Sequence, residues 1–444
     1  MTSVGASGEL SSEQADATLR SRRFVALLIM VAIIGVVVSI AAWGFLEGTF
    51  QLQRELYVHL PSSLGYQHGP PKWWPLPILA IGALIVGLAI TRFPGNGGHI
   101  PAEGLSAGGP SGPSVLPGIV LAGAATIGFG LVLGPEAPLI ALGGGLAALM
   151  IGLTRGETPP EVVMLVAAAG SFAAVSFIFA SPLIAAVLLI EATAIGGPRL
   201  RLVLVPGLLA AGIGSLVSLG IGHITGLSSK DYALGALPLT PASHLKVGEF
   251  GWAIALAIAI AVVTSFALRG GLLTHRVVSR RRLLWLWPAI GLIIGGLAIA
   301  FSQITGRSVD EVLFSGQDQL PGLIGQAGTW SLSALAWLLV FKGLAYTLSL
   351  GTYRGGPTFP ALFLGAAGGI MASHLAGFPS QYAVAVGMGA ATVAVLRLPL
   401  SAVVLATVLT APAGSNVEPL IIIGVVVSYI ITIRLSPSTE PAAP

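Results

Sequence analysis

An all-α protein that crosses a membrane many times is what this sequence predicts. Of its 444 residues 55% are hydrophobic and only 9% are charged, against roughly 25% charged in a typical soluble domain. The mean hydropathy is +0.91, which leaves nothing over for a sizeable soluble domain. The 60 glycines and 30 prolines predict short, tilted or broken helices, because small residues let membrane helices approach closely. The chain also repeats itself. Gly134-Pro135-Glu136-Ala137-Pro138 lines up with Gly356-Pro357-Thr358-Phe359-Pro360, and Ser181-Pro182-Leu183 with Leu398-Pro399-Leu400, in the same order and 222 and 217 residues apart.

Apolar segments read as helices at about 24–46, 74–92, 114–133, 136–153, 160–179, 182–195, 200–222, 249–268, 283–303, 331–350, 359–376, 381–396, 398–411 and 417–434. Several are too short to span about 30 Å of hydrocarbon at 1.5 Å per residue. Short, Gly/Pro-interrupted segments at corresponding places in two halves point to a transporter binding site. The organisation is then a polar N-terminal tail (1–23), a membrane domain (24–434, with repeat halves roughly 74–222 and 283–434) and a C-terminal tail (435–444). Basic residues cluster at Arg20, Arg22 and Arg23, at Arg199 and Arg201, at Arg269, Arg276 and Arg280–Arg282, and at Arg434. They mark the cytoplasmic side, which puts both termini inside a plasma (inner) membrane.

Several chemistries fall away. With no cysteine there is no disulfide, thiolate metal site or cysteine nucleophile. The seven histidines are scattered without metal-ligand spacing, and no nucleophile elbow or paired intramembrane carboxylate argues for an enzyme. No cofactor or nucleic acid is expected. A cation-coupled carrier of organic solutes should show more intramembrane acids or Asn/Ser/Thr clusters than this chain has.

One residue carries most of the functional reading. Glu136 is an acid at membrane depth, and an ionisable group there costs several kcal/mol unless it faces a cavity, a partner or an ion path. Prolines on both sides break the membrane helix and start a new one at the acid. A half-helix N-terminus offers unpaired N–H groups and the positive end of the helix dipole, which suits an anion. The expectation is a mid-membrane anion site with a titratable carboxylate beside it.

At these residues the chain resembles the CLC family of chloride channels and chloride/proton exchangers, whose three filter motifs are Gly-Ser-Gly-Ile-Pro, Gly-Lys/Arg-Glu-Gly-Pro and Gly-x-Phe-x-Pro. Here they read Gly97-Gly98-His99-Ile100-Pro101, Gly134-Pro135-Glu136-Ala137-Pro138 and Gly356-Pro357-Thr358-Phe359-Pro360. Ala180-Ser181-Pro182-Leu183 leading to Glu191, and Gly387-Met388-Gly389-Ala390 leading to Arg397-Leu398-Pro399, extend the match from about residue 24 to 434. The resemblance implies an all-α CLC-type inverted repeat, a homodimer with one anion pore per subunit, and no regulatory domain after Arg434. It also implies roles: Glu136 as gate and proton acceptor, and Gly97, Gly98, His99, Ile100, Gly134, Pro135, Ala137, Gly356, Thr358 and Phe359 as the anion-binding surround.

The departures shape the function. Gly98 stands where the family has an anion-binding serine, and the family's central tyrosine falls in Ala411–Asn416, which holds none. Exchangers of the family relay protons through an internal glutamate; its place aligns with Ala192, next to Glu191. Alanine holds no proton, so channel-like chloride conduction is favoured, with Glu191 a candidate for a proton path. The alternative is a chloride/proton antiporter. A lesser alternative is a fluoride exporter of the same family, given the aberrant first motif with Asn96 nearby. His99 reads as a structural donor with a secondary candidacy as pH sensor, and Lys342 and Arg397 as buried partners or helix termini rather than anion sites.

Overall fold

The computed structural model describes residues 12–105, 112–153, 158–193, 197–227, 233–281, 283–375 and 377–436. The helices are α1 (Ser12–Leu19), α2 (Arg22–Arg54, continued by a π turn Glu55–His59), α3 (Leu60–Ser63), α4 (Pro75–Arg92), α5 (Leu116–Gly128), α6 (Glu136–Gly152), α7 (Pro160–Phe179), α8 (Pro182–Thr193) and α9 (Pro198–Thr225). The second half continues with α10 (Val247–Arg281), α11 (Leu286–Thr305), α12 (Leu320–Gly325), α13 (Leu332–Thr352), α14 (Thr358–Ser373), α15 (Ser380–Leu396), α16 (Pro399–Leu409) and α17 (Glu418–Leu435). Among the described residues eight helices are long and apolar enough to cross a bilayer, and six more have 10–17 residues.

The apolar segments read from the sequence all become helices, with instructive differences at the edges. Residues 1–11 of the N-terminal tail lie outside the described residues; in the remainder α1 buries Ala15, and Asp16 pairs with Arg201 of α9 at 2.9 Å. The segment 114–133 stops being helical at Gly128, because the chain must straighten before the second motif. Helix α10 runs on to Arg281, so its last turns carry the basic cluster.

The duplication is written in the packing. Helix α6 packs on α7, α7 on both α8 and α9, and α2 against α5, α6, α7 and α9. In the second half α14 packs on α15, α15 on both α16 and α17, and α10 against α13, α14, α15 and α17. The repeat therefore takes in one long helix more per half, α2 and α10, than its sequence-level core. Equivalent glycines permit equivalent crossings: a Cβ on Gly143 would collide with the Gly170 carbonyl, and one on Gly365 with the Gly387 carbonyl. Equivalent left-handed caps, Ala180 (φ 47) and Arg397 (φ 57), end α7 and α15. The next helices then open on Pro182 and Pro399, residues that start a helix but cannot continue one.

Candidate functional site

The two halves meet at a pair of glycines. Gly134 and Gly356 exchange backbone hydrogen bonds, Gly134 N donating to Gly356 O at 2.7 Å and Gly356 N to Gly134 O at 2.6 Å. The next residues repeat one conformation: Pro135 has φ −87, ψ −4 and Pro357 has φ −86, ψ −8, each as the cap that launches a half-helix. The N-termini of α6 and α14 thereby emerge from one spot in the interior.

Glu136 lies across that spot. Its Oε1 accepts from the amides of Thr358 at 2.6 Å and Phe359 at 3.2 Å, the first two N–H groups of α14. The carboxylate thus occupies the half-helix terminus of the opposite repeat, where unpaired N–H groups and the dipole favour negative charge. Only 1% of Glu136 is exposed, and among the described residues its other oxygen, Oε2, has no hydrogen-bond partner. The glycines are a steric requirement: a Cβ on Gly134 or on Gly356 would land on the carboxylate.

Neighbours hold the frame. Tyr346 OH donates to the Pro357 carbonyl at 2.7 Å, fixing the residue that launches α14. Phe359 stacks on Phe179 of the first half with ring centroids 5.3 Å apart. Val132 N donates to Ser349 Oγ at 3.3 Å, tying the approach to Glu136 onto α13. Ala137, in the first turn of α6, is half-buried.

The first motif joins this centre through a residue the sequence reading passed over. Arg354, two positions before Gly356, is 5% exposed; its Nε donates to Asn96 O at 3.1 Å and its Nη1 to Tyr353 O at 3.0 Å. No carboxylate lies within ion-pair distance of it among the described residues. A Cβ on Gly97 would stand 3.3 Å from Arg354 Cγ. Gly95, Asn96, Gly97 and Gly98 all have positive φ, a path that only glycine and asparagine take readily. Beyond Ile100 the chain makes a 3-10 turn, Pro101–Glu103. His99 is taken up locally, with Nε2 2.9 Å from Gly104 O.

Glu191 stands apart from this centre. Both its oxygens are used on the N-terminus of α16, Oε1 accepting from Leu400 N at 3.0 Å and Oε2 from Ser401 N at 2.7 Å and Ser401 Oγ at 2.6 Å. Ala411–Asn416 forms the link between α16 and α17 and packs on the 242–243 region, where Ala242 N donates to Ala413 O at 2.8 Å and Asn416 Nδ2 to Ser243 O at 3.4 Å. Lys342 is a staple: fully buried, it donates to the carbonyls of Glu311 and Leu313 at 3.0 and 2.9 Å, with Nζ 4.4 Å from the centroid of the Phe363 ring. Arg397 is the exposed cap of α15.

A duplicated bundle whose two broken helices meet end-on at a buried carboxylate is the architecture of an ion transporter of the membrane. The chain belongs to the voltage gated chloride channel family, whose model matches residues 82–432 and so covers all three motifs. The YfeO protein of Salmonella newport (strain SL254), named as an ion-transport protein, is 29% identical over 384 residues, covering 82% of this chain and 85% of that protein. Among solved structures, a slow cyanobacterial Cl⁻/H⁺ antiporter matches with a TM-score of 0.72 at 19% identity, over 93% of this chain and 95% of that one. A CLC-type fluoride/proton antiporter matches at 0.68 and 17%, over 92% and 95%. Both of these structures are described as antiporters, so the preference for channel-like conduction drawn from Ala192 finds no support in them.

Proposed function

We propose that this protein exchanges chloride for protons across the membrane, with Glu136 as both gate and proton acceptor. The observation that carries the reading is the Glu136 carboxylate seated on the Thr358 and Phe359 amides with Oε2 unpartnered. Ionised, the carboxylate is itself the anion at the α14 terminus and keeps chloride out. A proton taken up at Oε2 removes the charge that holds it there, and the side chain yields the amides to chloride. Loss of the proton reverses the exchange, so anion and proton pass through one residue in turn.

The surround then has simple tasks. Gly134 and Gly356 leave room for the carboxylate, Pro135 and Pro357 aim the half-helices, and Ala137, Thr358 and Phe359 supply the first-turn backbone. Gly97, Gly98, His99 and Ile100 line the approach on the first-motif side, with the Arg354 charge behind them attracting the anion. Because Glu191 is bound to α16 and Ala192 holds no proton, water rather than a second acid brings protons to Oε2. A homodimer in the plasma (inner) membrane, termini on the cytoplasmic side, completes the proposal.

The test is simultaneous recording of Cl⁻ and H⁺ from chloride-loaded proteoliposomes, with valinomycin clamping the potential. The expected result is a chloride gradient that drives protons against their own gradient. Chloride flux without proton movement would return the reading to a channel. Absence of chloride flux together with fluoride flux in the same assay would make fluoride the substrate.

A further inference from the structure

We propose that the crevice between α10, α13 and α14 is a binding site for one acyl chain of an anionic phospholipid, whose headgroup is held by Arg269. The crevice encloses roughly 520 Å³, lined on α10 by Ile260, Val263 and Phe266, on α13 by Gly343 and Tyr346, and on α14 by Gly368. That volume is within the range of about 300–1,000 Å³ typical of small-molecule sites. Its walls offer almost nothing to a polar ligand: the Thr347 hydroxyl there is turned back onto Gly343 O at 2.8 Å.

Its position selects the occupant. All three walls belong to apolar helices of the membrane domain, and Val263 and Phe266 are 67% and 64% exposed at its mouth. The solvent at that mouth is hydrocarbon. Arg269 follows Phe266 at i+3, its neighbour one turn further along the helix surface. Arg269 is exposed and lies 22 residues after Val247, roughly 33 Å along α10, which places it about one hydrocarbon thickness from the start of the helix. Arg276, Arg280 and Arg281 continue the charge beyond it on the same helix. An apolar slot that ends in a run of cations at the membrane boundary is complementary to a chain with an anionic head.

The crevice also reaches the transport machinery. Tyr346 forms part of its wall, while its hydroxyl holds the Pro357 carbonyl. A bound chain therefore braces the residue that launches α14.

Two glycines make the test clean. Nothing lies within 4 Å of where a Gly343 Cβ would stand, and a Gly368 Cβ would meet only the Ile260 side chain at 3.8 Å. At both positions the Cβ of a larger residue has room, so Gly343→Phe and Gly368→Leu place bulk in the crevice. Native mass spectrometry of the protein released from vesicles of equimolar phosphatidylglycerol and phosphatidylcholine reads the outcome. The wild type should retain one phosphatidylglycerol per chain in preference to phosphatidylcholine. Arg269→Gln should lower that retention about fivefold, Arg269→Lys should keep it, and Gly343→Phe should abolish it. Gly368→Leu serves as the filling variant should Gly343→Phe misfold. Equal retention of the two lipids, or undiminished retention in the filled crevice, would overturn the proposal. So would a change of oligomeric state in the filled variant, which would assign the crevice to a second copy of the chain.

Discussion

Glu191 holds Ser401 twice, Oε2 accepting from its backbone N at 2.7 Å and from its hydroxyl at 2.6 Å. The arrangement mirrors the centre: an acid of the first half on the N-terminus of a helix in the second. The difference lies in the spare capacity. Glu191 also uses Oε1, on Leu400 N, whereas Glu136 keeps Oε2 empty. Glu191 is therefore a cap that joins α8 to α16. Glu191→Ala should destabilise the protein by about 1–3 kcal/mol through the orphaned amides, seen as earlier unfolding in detergent, with the proton-to-chloride ratio unchanged. A lost ratio with unaltered melting would make Glu191 part of a proton path.

Glu136→Gln keeps an oxygen for the Thr358 and Phe359 amides but removes the titrating proton. Chloride flux should persist, proton movement should vanish, and flux should lose its dependence on pH. Proton transport at the wild-type ratio in this variant would remove Glu136 from the proton pathway.

The same state should be reached without touching the acid. Gly356 does not have a positive φ, so alanine fits its backbone, and the nearest atoms to the added Cβ are all in the Glu136 carboxyl group. Gly356→Ala should expel the carboxylate from its seat, uncouple protons and cost about 1–3 kcal/mol as an overpacked site. Combining it with Glu136→Ala should recover most of that cost, because the clash has gone. A double-mutant cycle on melting measures the coupling, and additive effects would show that the carboxylate does not lie over Gly356.

These residues also show what the sequence could and could not disclose. The broken helices were legible because Pro and Gly have fixed steric meanings, and the repeat because both halves keep them in the same order. Glu136 stood out because a lone acid in an apolar run needs a reason. The seat of its carboxylate was not legible: Thr358 is 222 residues away, and a backbone amide leaves no trace in residue identity. The partners of Glu191 were hidden for the same reason, being helix amides and a serine hydroxyl of the other half. Arg354 was missed because an arginine at a helix boundary ordinarily points to water, and only the fold buries it against Asn96.

Outside the spans, burial raises the Asp310 carboxyl above the usual range, outweighing the Ser308 hydroxyl and the Lys342 charge that pull it down. A raised folded-state value means that the native state resists the charge. Its stability is fully present below the unfolded value of about 3.9 and declines as pH rises through the higher folded one. Asp310→Asn keeps an acceptor for Ser308 Oγ, which now bonds Asp310 Oδ2 at 3.0 Å, and stays neutral throughout. It should melt a few degrees above wild type at pH 8, and the gap should close towards pH 4. A gap of the opposite sign at pH 8 would mean that the attraction to Lys342 outweighs the burial.

Arg354 poses the sharpest question about the anion. A guanidinium that is 5% exposed and bonded to two carbonyls, with Glu103 attracting it only from beyond ion-pair distance, is a buried charge only partly compensated, and such charges are costly unless paired. It sits between the first motif and Gly356, so an anion on the pathway is the natural counter-charge. Arg354→Gln should raise the chloride concentration for half-maximal flux about tenfold, equivalent to ~1.5 kcal/mol, the low end for a hydrogen bond to a charged group. Arg354→Lys keeps the charge as a compact ammonium without the planar fork and should recover part of the loss. A merely structural arginine would behave otherwise: both variants would melt earlier and lose flux in proportion, with the half-maximal concentration unchanged. Concentration dependence and melting, measured on the same preparations, separate the two.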